Sequence, residues 1–223
     1  MTISDLIQYE PAPGVRLYAA ETGMALTFGY CLADVAAKTA LIIDAPQHTD
    51  EIFGQLCERE GYVVAAILLT HTHWDHTAAA AALKRRLGAP LYVHSADEYR
   101  LTEPNKHTVW ALPFEIEPAE ANFYLENGSI LTFGRFSIEV RHTPGHTEGG
   151  ICFVEHKLGL IFSGDTLFAG SIGRTDLPGG NMDELLDSIR RELLILPDSI
   201  EVFPGHGDPT DIGAERCGNP FLR

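Results

Sequence analysis

This sequence predicts an α/β protein with a sheet-on-sheet core and helices outside, folded as one domain over residues 1–223. Three observations predict it. Short apolar or alternating runs, punctuated by Gly, Asp and Lys, fill both halves of the chain. In each half those runs close on a stretch with helical spacing, so each set of strands carries its own helices. Four of the runs end in loops whose reactive side chains are His and Asp, and strand-end loops are where a layered fold delivers chemistry.

Residues 15–19, 25–32 and 40–43 read as strands. Residues 49–59 place Ile52, Phe53 and Leu56 on one helical face, with Thr49 or Asp50 as cap and Gly61 as the stop. The uninterrupted apolar run 63–69 reads as a buried strand. Residues 77–87 are alanine-rich, carry Leu83 and Leu87 four apart, and predict a helix that stops at Gly88. Residues 90–93 make the next strand. Residues 103–122 hold three prolines, Trp110 and Phe114 with weak periodicity, and read as a long surface segment able to line or cover a pocket. In the second half, 129–133 and 136–140 flank Gly134-Arg135 as a hairpin, and 151–154 with 158–162 suggest another. Residues 183–196 carry Leu185, Leu186, Ile189, Leu193 and Leu194 at helical spacing until Pro197. Residues 200–203 are a last short strand. Tyr92, Phe114, Phe123 and Phe133 are expected in the core.

Composition narrows the function. The chain has 223 residues, 45% of them hydrophobic and 21% charged, as in an ordinary globular protein. Its formal net charge of −15 argues against a nucleic-acid partner, which needs clustered Lys and Arg. No apolar run approaches the ~20 residues that span a bilayer, so no membrane is expected. The stretch Met1-Thr2-Ile3-Ser4-Asp5 lacks the basic and then apolar pattern of a secretory signal, and a cytoplasmic protein is expected. Cys31, Cys57, Cys152 and Cys217 form no C-x-x-C clip and read as free thiols, Cys31 and Cys152 as small buried hydrophobes.

The chemistry concentrates in Thr70-His71-Thr72-His73-Trp74-Asp75-His76-Thr77, directly after the apolar run 63–69. Three imidazoles and a carboxylate within six positions are a ligand set for zinc, iron or manganese. Three further candidates each follow a strand-like run on a Gly-bounded loop: His146 in Thr143-Pro144-Gly145-His146-Thr147, Asp165 in Ser163-Gly164-Asp165-Thr166, and His206 in Pro204-Gly205-His206-Gly207. Trp74 faces either a pocket rim or the packing beneath it. His94 and His142 end strand-like runs. His48, His107 and His156 read as surface residues.

H-x-H-x-D-H, followed in order by T-P-G-H-T, S-G-D-T-L-F and P-G-H-G, resembles the metallo-β-lactamase superfamily, and Ile42-Ile43-Asp44 resembles that family's first motif. The resemblance covers nearly the whole chain. It implies an αββα sandwich, two mixed β-sheets packed face to face with helices outside, and a binuclear metal site at one edge. Carried over position by position, one divalent metal takes His71, His73 and His146, the second takes Asp75, His76 and His206, and Asp165 bridges both. Zinc is the first choice, with iron or manganese as alternatives. Asp44 is expected to orient a ligand from behind, or to serve a turn.

Within that superfamily, Ser163–Phe168 and Gly173-Arg174-Thr175-Asp176 look like the glyoxalase II branch. The tail Asn219-Pro220-Phe221-Leu222 resembles single-domain bacterial glyoxalase II-like enzymes, which hydrolyse hydroxyacyl thioesters of glutathione. The chain ends soon after His206, at Arg223, so the helical domain with which two-domain glyoxalases grip glutathione is expected to be missing. Asp176 stands where those enzymes offer a substrate-binding Tyr, and Arg174 where they offer a Lys.

The resemblance implies a hydroxide bridging two metals as nucleophile, with Asp75 and Asp165 as the catalytic carboxylates and Arg174 as a binder of a substrate carboxylate, unless Arg174 simply pairs with Asp176. A thiol of pKa ~8.5 leaves as thiolate without a general acid, whereas an amide nitrogen needs a proton. Thioesters are therefore expected over β-lactams, with S-lactoylglutathione, cleaved to hydroxy acid and glutathione, as the leading substrate. A small-molecule thioester is the only partner expected, and nothing in the chain specifies an oligomeric state. The alternatives are a mononuclear-iron persulfide dioxygenase using His71, His146 and Asp165, and a lactone or β-lactam hydrolase.

Overall fold

The structure is a computed structural model that describes residues 3–223; Met1 and Thr2, part of the stretch read for a signal sequence, lie outside the described residues. The chain forms two compact units. The first runs to Val93 and takes in Glu98–Tyr124 and Phe133–Arg135. The second holds His94–Asp97, Leu125–Thr132 and Phe136–Arg223.

In the first unit β1 (Ile7–Tyr9), β2 (Val15–Thr22), β3 (Thr27–Asp34), β4 (Thr39–Ile43), β5 (Val63–Leu68), β6 (Leu91–His94) and β7 (Phe123–Leu125) lie in that order in one seven-stranded sheet. β1 to β4 pair antiparallel, while β4, β5 and β6 run parallel. The parallel strands need crossovers, which α1 (Thr49–Glu60) supplies between β4 and β5 and α3 (Ala80–Leu87) between β5 and β6. Every residue of β3 is buried, as an apolar central strand requires. Ile52, Phe53 and Leu56 of α1 join Tyr18, Ile42 and Leu83 in one core cluster, each burial stabilising by roughly 1.5–3 kcal/mol.

Several local expectations change here. Strand β3 starts at Thr27 because Leu26 takes a left-handed φ of 54° in the preceding turn. Neither Thr49 nor Asp50 caps α1. The cap position is His48, with φ 73°, and the Thr49 hydroxyl bonds back to the Pro46 carbonyl at 2.7 Å. The helix expected over 77–87 splits into α2 (Trp74–Thr77) and α3. The Thr77 hydroxyl closes on the His73 carbonyl at 3.1 Å, and the Ala79 amide leaves the helical ladder for the Ala45 carbonyl at 3.0 Å. The surface segment 103–122 follows α4 (Glu98–Thr102), opens with α5 (Pro104–His107) and continues as a strap that Asn105 pins by two hydrogen bonds to Ile116, at 2.8 and 2.9 Å. Phe114 on that strap meets Trp74, with ring centroids 6.2 Å apart. The four aromatics expected in the core are not buried. Phe123 is 51% exposed, because β7 is the last strand of its sheet, and Tyr92 stacks on it at 4.8 Å.

In the second unit β8 (Ile130–Phe133), β9 (Phe136–His142), β10 (Ile151–Glu155) and β11 (Leu160–Gly164) form a meander. A small hairpin, β12 (Leu167–Phe168) with β13 (Ser171–Ile172), and α6 (Met182–Ser188) follow. β14 (Glu201–Pro204) then pairs parallel to β11, β15 (Thr210–Asp211) completes a six-stranded mixed sheet, and α7 (Ile212–Gly218) closes the chain. β10 and β11 are buried throughout. The helix expected over 183–196 is α6 plus a π-helical turn, Ile189–Leu193, where the Leu194 amide reaches the Ile189 carbonyl at 2.9 Å. Leu185, Ile189 and Leu193 still share one apolar cluster with Cys152, Val154 and Val202. Among the described residues no helix is long and apolar enough to cross a membrane.

Candidate metal centre

The first unit gathers its candidate ligands where β4 and β5 end side by side. The Asp44 amide bonds the Leu68 carbonyl at 2.9 Å, so Asp44 and Thr70 leave the sheet together. Asp44 holds a left-handed φ of 60°, a conformation a non-glycine residue adopts only where its surroundings impose it. Its Oδ1 accepts the Thr70 amide at 2.7 Å, and its Oδ2 accepts both the Thr70 hydroxyl and His76 Nδ1–H, each at 2.8 Å. The Thr70 proton is thus directed at Asp44, leaving a lone pair on Thr70 Oγ1 for the Nδ1–H of His71 at 3.2 Å. One buried carboxylate therefore sets the tautomer of two imidazoles, leaving each basic at Nε2.

Around these two rings the remaining donors are close. The His71 ring lies 4.9 Å from His73 and 4.1 Å from His76, centroid to centroid. Asp75 Oδ2 is 3.7 Å from His76 Nε2 and accepts the Thr27 hydroxyl from β3 at 2.9 Å.

The second unit gathers the other three candidates by itself. A β-bulge at the end of β11 re-aims the chain just before Asp165. Asp165 Oδ2 is 3.5 Å from His146 Nε2 and 3.5 Å from His206 Nε2, so the carboxylate lies between the two imidazoles. His146 Nδ1 donates to the Arg174 carbonyl at 2.7 Å, which again leaves Nε2 basic. The hydroxyls of Thr143 and Thr166, 2.9 Å apart, tie the His146 and Asp165 loops together. Gly173 is required here: a Cβ at that position would lie 1.9 Å from the Asp165 carbonyl oxygen and 3.2 Å from the His146 ring. The Arg174 guanidinium forms a two-point pair with Asp176, at 2.7 and 2.8 Å, which draws the exposed Asp176 carboxyl down to about 2.

His94 and His142, read as strand-end residues, stack with centroids 4.1 Å apart and planes 9° apart. Burial, and secondly the neighbouring His142, lower His94 from 6.5 to about 4. An unfolded chain protonates His94 near 6.5 and the native one only near 4, so this group subtracts stability as pH falls between those values. His94→Phe, which keeps a ring in the stack, should lose less unfolding free energy than the parent between pH 7 and pH 4.5. Urea titrations at the two pH values measure this, and an equal loss in both proteins would refute it.

These donors fit a divalent metal. They are imidazole nitrogens, with the opposite ring position engaged at His71, His76 and His146, together with carboxylates, the chemistry that suits zinc, iron and manganese alike. Thr70, Thr143 and Thr166 are visible in the sequence only as neighbours of ligands within motifs, and Thr27 lies far in sequence from the Asp75 it bonds, so no local pattern marks it.

Residues 35–206 match the family model of the metallo-β-lactamase superfamily. The chain belongs to that superfamily. The hydroxyacylglutathione hydrolase GloC of Haemophilus influenzae is 38% identical over 187 residues, 83% of this chain and 88% of that protein. Among solved structures, the B3 metallo-β-lactamase BLEG-1 superposes with a TM-score of 0.85 at 38% identity, covering 92% of this chain and 99% of that one. TTHA1623 in a di-iron-bound form superposes with a TM-score of 0.80 at 35% identity, covering 92% and 99%. The two mixed sheets and their helices are thus the metallo-β-lactamase fold that the motifs implied.

Proposed function

We propose that this superfamily member is a single-domain, metal-dependent thioester hydrolase whose leading substrate is S-2-hydroxyacylglutathione, such as S-lactoylglutathione. Kinship with the Haemophilus hydroxyacylglutathione hydrolase over most of both chains carries the reading. His71, His73 and His146 would hold one metal, Asp75, His76 and His206 the second, and Asp165 both. Such a pair of divalent ions acidifies water toward pKa ~7 and polarises an acyl carbonyl. Zinc is the first candidate, and iron gains weight from the di-iron relative.

The chain's own residues do the rest. Asp44 and the Arg174 carbonyl keep His76, His71 and His146 in the ligating tautomer. Asp75, steadied by Thr27, is the carboxylate able to take up a proton as water is activated. A thiolate of pKa ~8.5 leaves unassisted, so no second acid is required. Arg174 would bind a substrate carboxylate by exchanging Asp176 for it, an inexpensive step because solvent screens an exposed pair. A cytoplasmic setting is part of the same proposal.

The test is hydrolysis of S-lactoylglutathione by protein reconstituted with Zn²⁺, Mn²⁺ or Fe²⁺. A kcat/KM of ~10⁴–10⁸ M⁻¹s⁻¹ supports the reading. No turnover with any metal refutes it. The likeness to BLEG-1 favours a second reading, β-lactam hydrolysis, and a chromogenic cephalosporin run in parallel decides between them. Oxygen uptake with a persulfide covers the dioxygenase alternative. Arg174→Ala should raise KM for the glutathione thioester several-fold with little change in kcat, and an unchanged KM returns the Arg174 guanidinium to a structural pair with Asp176.

A further inference from the structure

Asp97 lies far from every metal-ligand motif in sequence, on a short 3-10 turn after β6, yet its carboxylate is fully buried at 0% exposure. A buried carboxylate carries a desolvation penalty of several kcal/mol unless it is well bonded. Each of its oxygens accepts a hydrogen bond from the loop that presents His146. Oδ2 accepts the Thr147 hydroxyl at 2.8 Å and Oδ1 accepts the Gly149 amide at 2.7 Å, fifty or more residues away along the chain. The approach is close enough that residue 149 must be glycine, since a Cβ there would lie 2.8 Å from the Asp97 amide nitrogen and from its side chain.

The same four-residue segment grips the loop a second time. His94–Asp97 belongs to the second unit although the residues on either side of it belong to the first. Its His94 stacks on His142 at the start of the loop, and His142 Nε2 donates to the Glu148 carbonyl at 3.0 Å. The backbone adds Gly145 N–H to the Thr147 carbonyl at 3.0 Å and Asn181 N–H to the Gly145 carbonyl at 2.7 Å. The residues flanking His146 are therefore fixed at 145, 147 and 149, with Asp97 supplying the side-chain restraint on the last two.

We propose that Asp97 is a positioning residue for the His146 loop, holding that imidazole where a metal can use it. The proposal rests on the metal-site reading above. It predicts that removing the carboxylate weakens metal binding without removing a ligand, by the roughly 10–100-fold that outer hydrogen-bond partners of ligands are worth.

The experiment is a Zn²⁺ titration of the full chain, stripped of metal and competed against a chromophoric chelator, for the parent, Asp97→Asn, Thr147→Val and Asp34→Asn. Asp34 is the control: it is also buried and accepts two amides, Ala36 and Ala37, each at 3.0 Å, but within a turn of the first unit. Asp97→Asn should weaken Zn²⁺ binding by about 10–100-fold. Thr147→Val, which keeps Asp97 and the fold, should weaken it in the same direction by less, and Asp34→Asn should leave it unchanged. Gly149 amide exchange in the metal-free protein gives a second readout and should quicken in Asp97→Asn but not in Asp34→Asn. A parent that binds two metals beside an Asp97→Asn and a Thr147→Val of parental affinity overturns the role of Asp97 alone. A parent that binds no metal overturns the site reading, and that role with it.

Discussion

Asp165→Asn is expected to abolish measurable turnover and to weaken metal binding by more than the ~10–100-fold attributable to a residue that merely supports a ligand. The reason is its place between two imidazoles. Its Oδ2 stands 3.5 Å from the Nε2 of both His146 and His206, so a single neutral amide oxygen cannot replace what the carboxylate supplies to either side. Asn is nearly isosteric, so the fold should persist; the tie between Thr143 and Thr166 and the close seat of Gly173 do not involve the Asp165 side chain. Metal analysis after gel filtration and a thermal melt of the stripped protein test the two halves separately. Parental metal content in Asp165→Asn would sink the assignment of Asp165 as shared ligand. Asp187→Asn, on an exposed face of α6, is the charge-matched control and should match the parent in both.

The legible and illegible parts of this chain divide along a physical line. Strands β3 to β5, β10 and β11 were legible because burial on both faces leaves nearly continuous apolar runs, and β9 because its apolar residues alternate along one buried face. The candidate ligands were legible because imidazole and carboxylate side chains have few other reasons to follow four separate strands, β5, β9, β11 and β14. Helix boundaries were less so. The break between Thr77 and Ala80 depends on the Ala79 amide finding the Ala45 carbonyl, a long-range bond with no trace in local spacing. The N-terminus of α1 failed for a related reason: the Thr49 hydroxyl, which a capping rule assigns to the helix, is taken by Pro46. The aromatic cluster of Tyr92, Phe123 and Phe133 looked like core because hydrophobicity alone does not say that β7 is an edge strand. Supporting residues were the hardest to see. Asp97 and Thr27 act on His146 and Asp75 across about fifty residues, and no local pattern encodes such a pairing.

Asp44→Ala is expected to be the most destabilising of the changes considered, by roughly 3–5 kcal/mol, the usual loss when one partner of a buried charged network is deleted. Asp44 is 2% exposed and accepts three hydrogen bonds, from the Thr70 amide, the Thr70 hydroxyl and His76 Nδ1–H. Alanine removes all three acceptors at once, and each abandoned buried donor costs about 1–3 kcal/mol, less than additively. Alanine also tolerates the left-handed φ of 60° less well than aspartate does, which adds to the loss. Asp44→Asn separates fold from ligand chemistry. Asn keeps the shape and one acceptor oxygen, so urea denaturation of the metal-free protein should show a smaller loss than Asp44→Ala. If that oxygen serves Thr70, the amide group turns N–H toward His76 Nδ1, which must then accept and carry its own proton on Nε2, the nitrogen a metal needs. Metal affinity should therefore fall in Asp44→Asn by more than its stability does. Equal stability losses in the two variants with unchanged metal affinity would show that Asp44 serves the turn at the end of β4 and not the tautomer of His76.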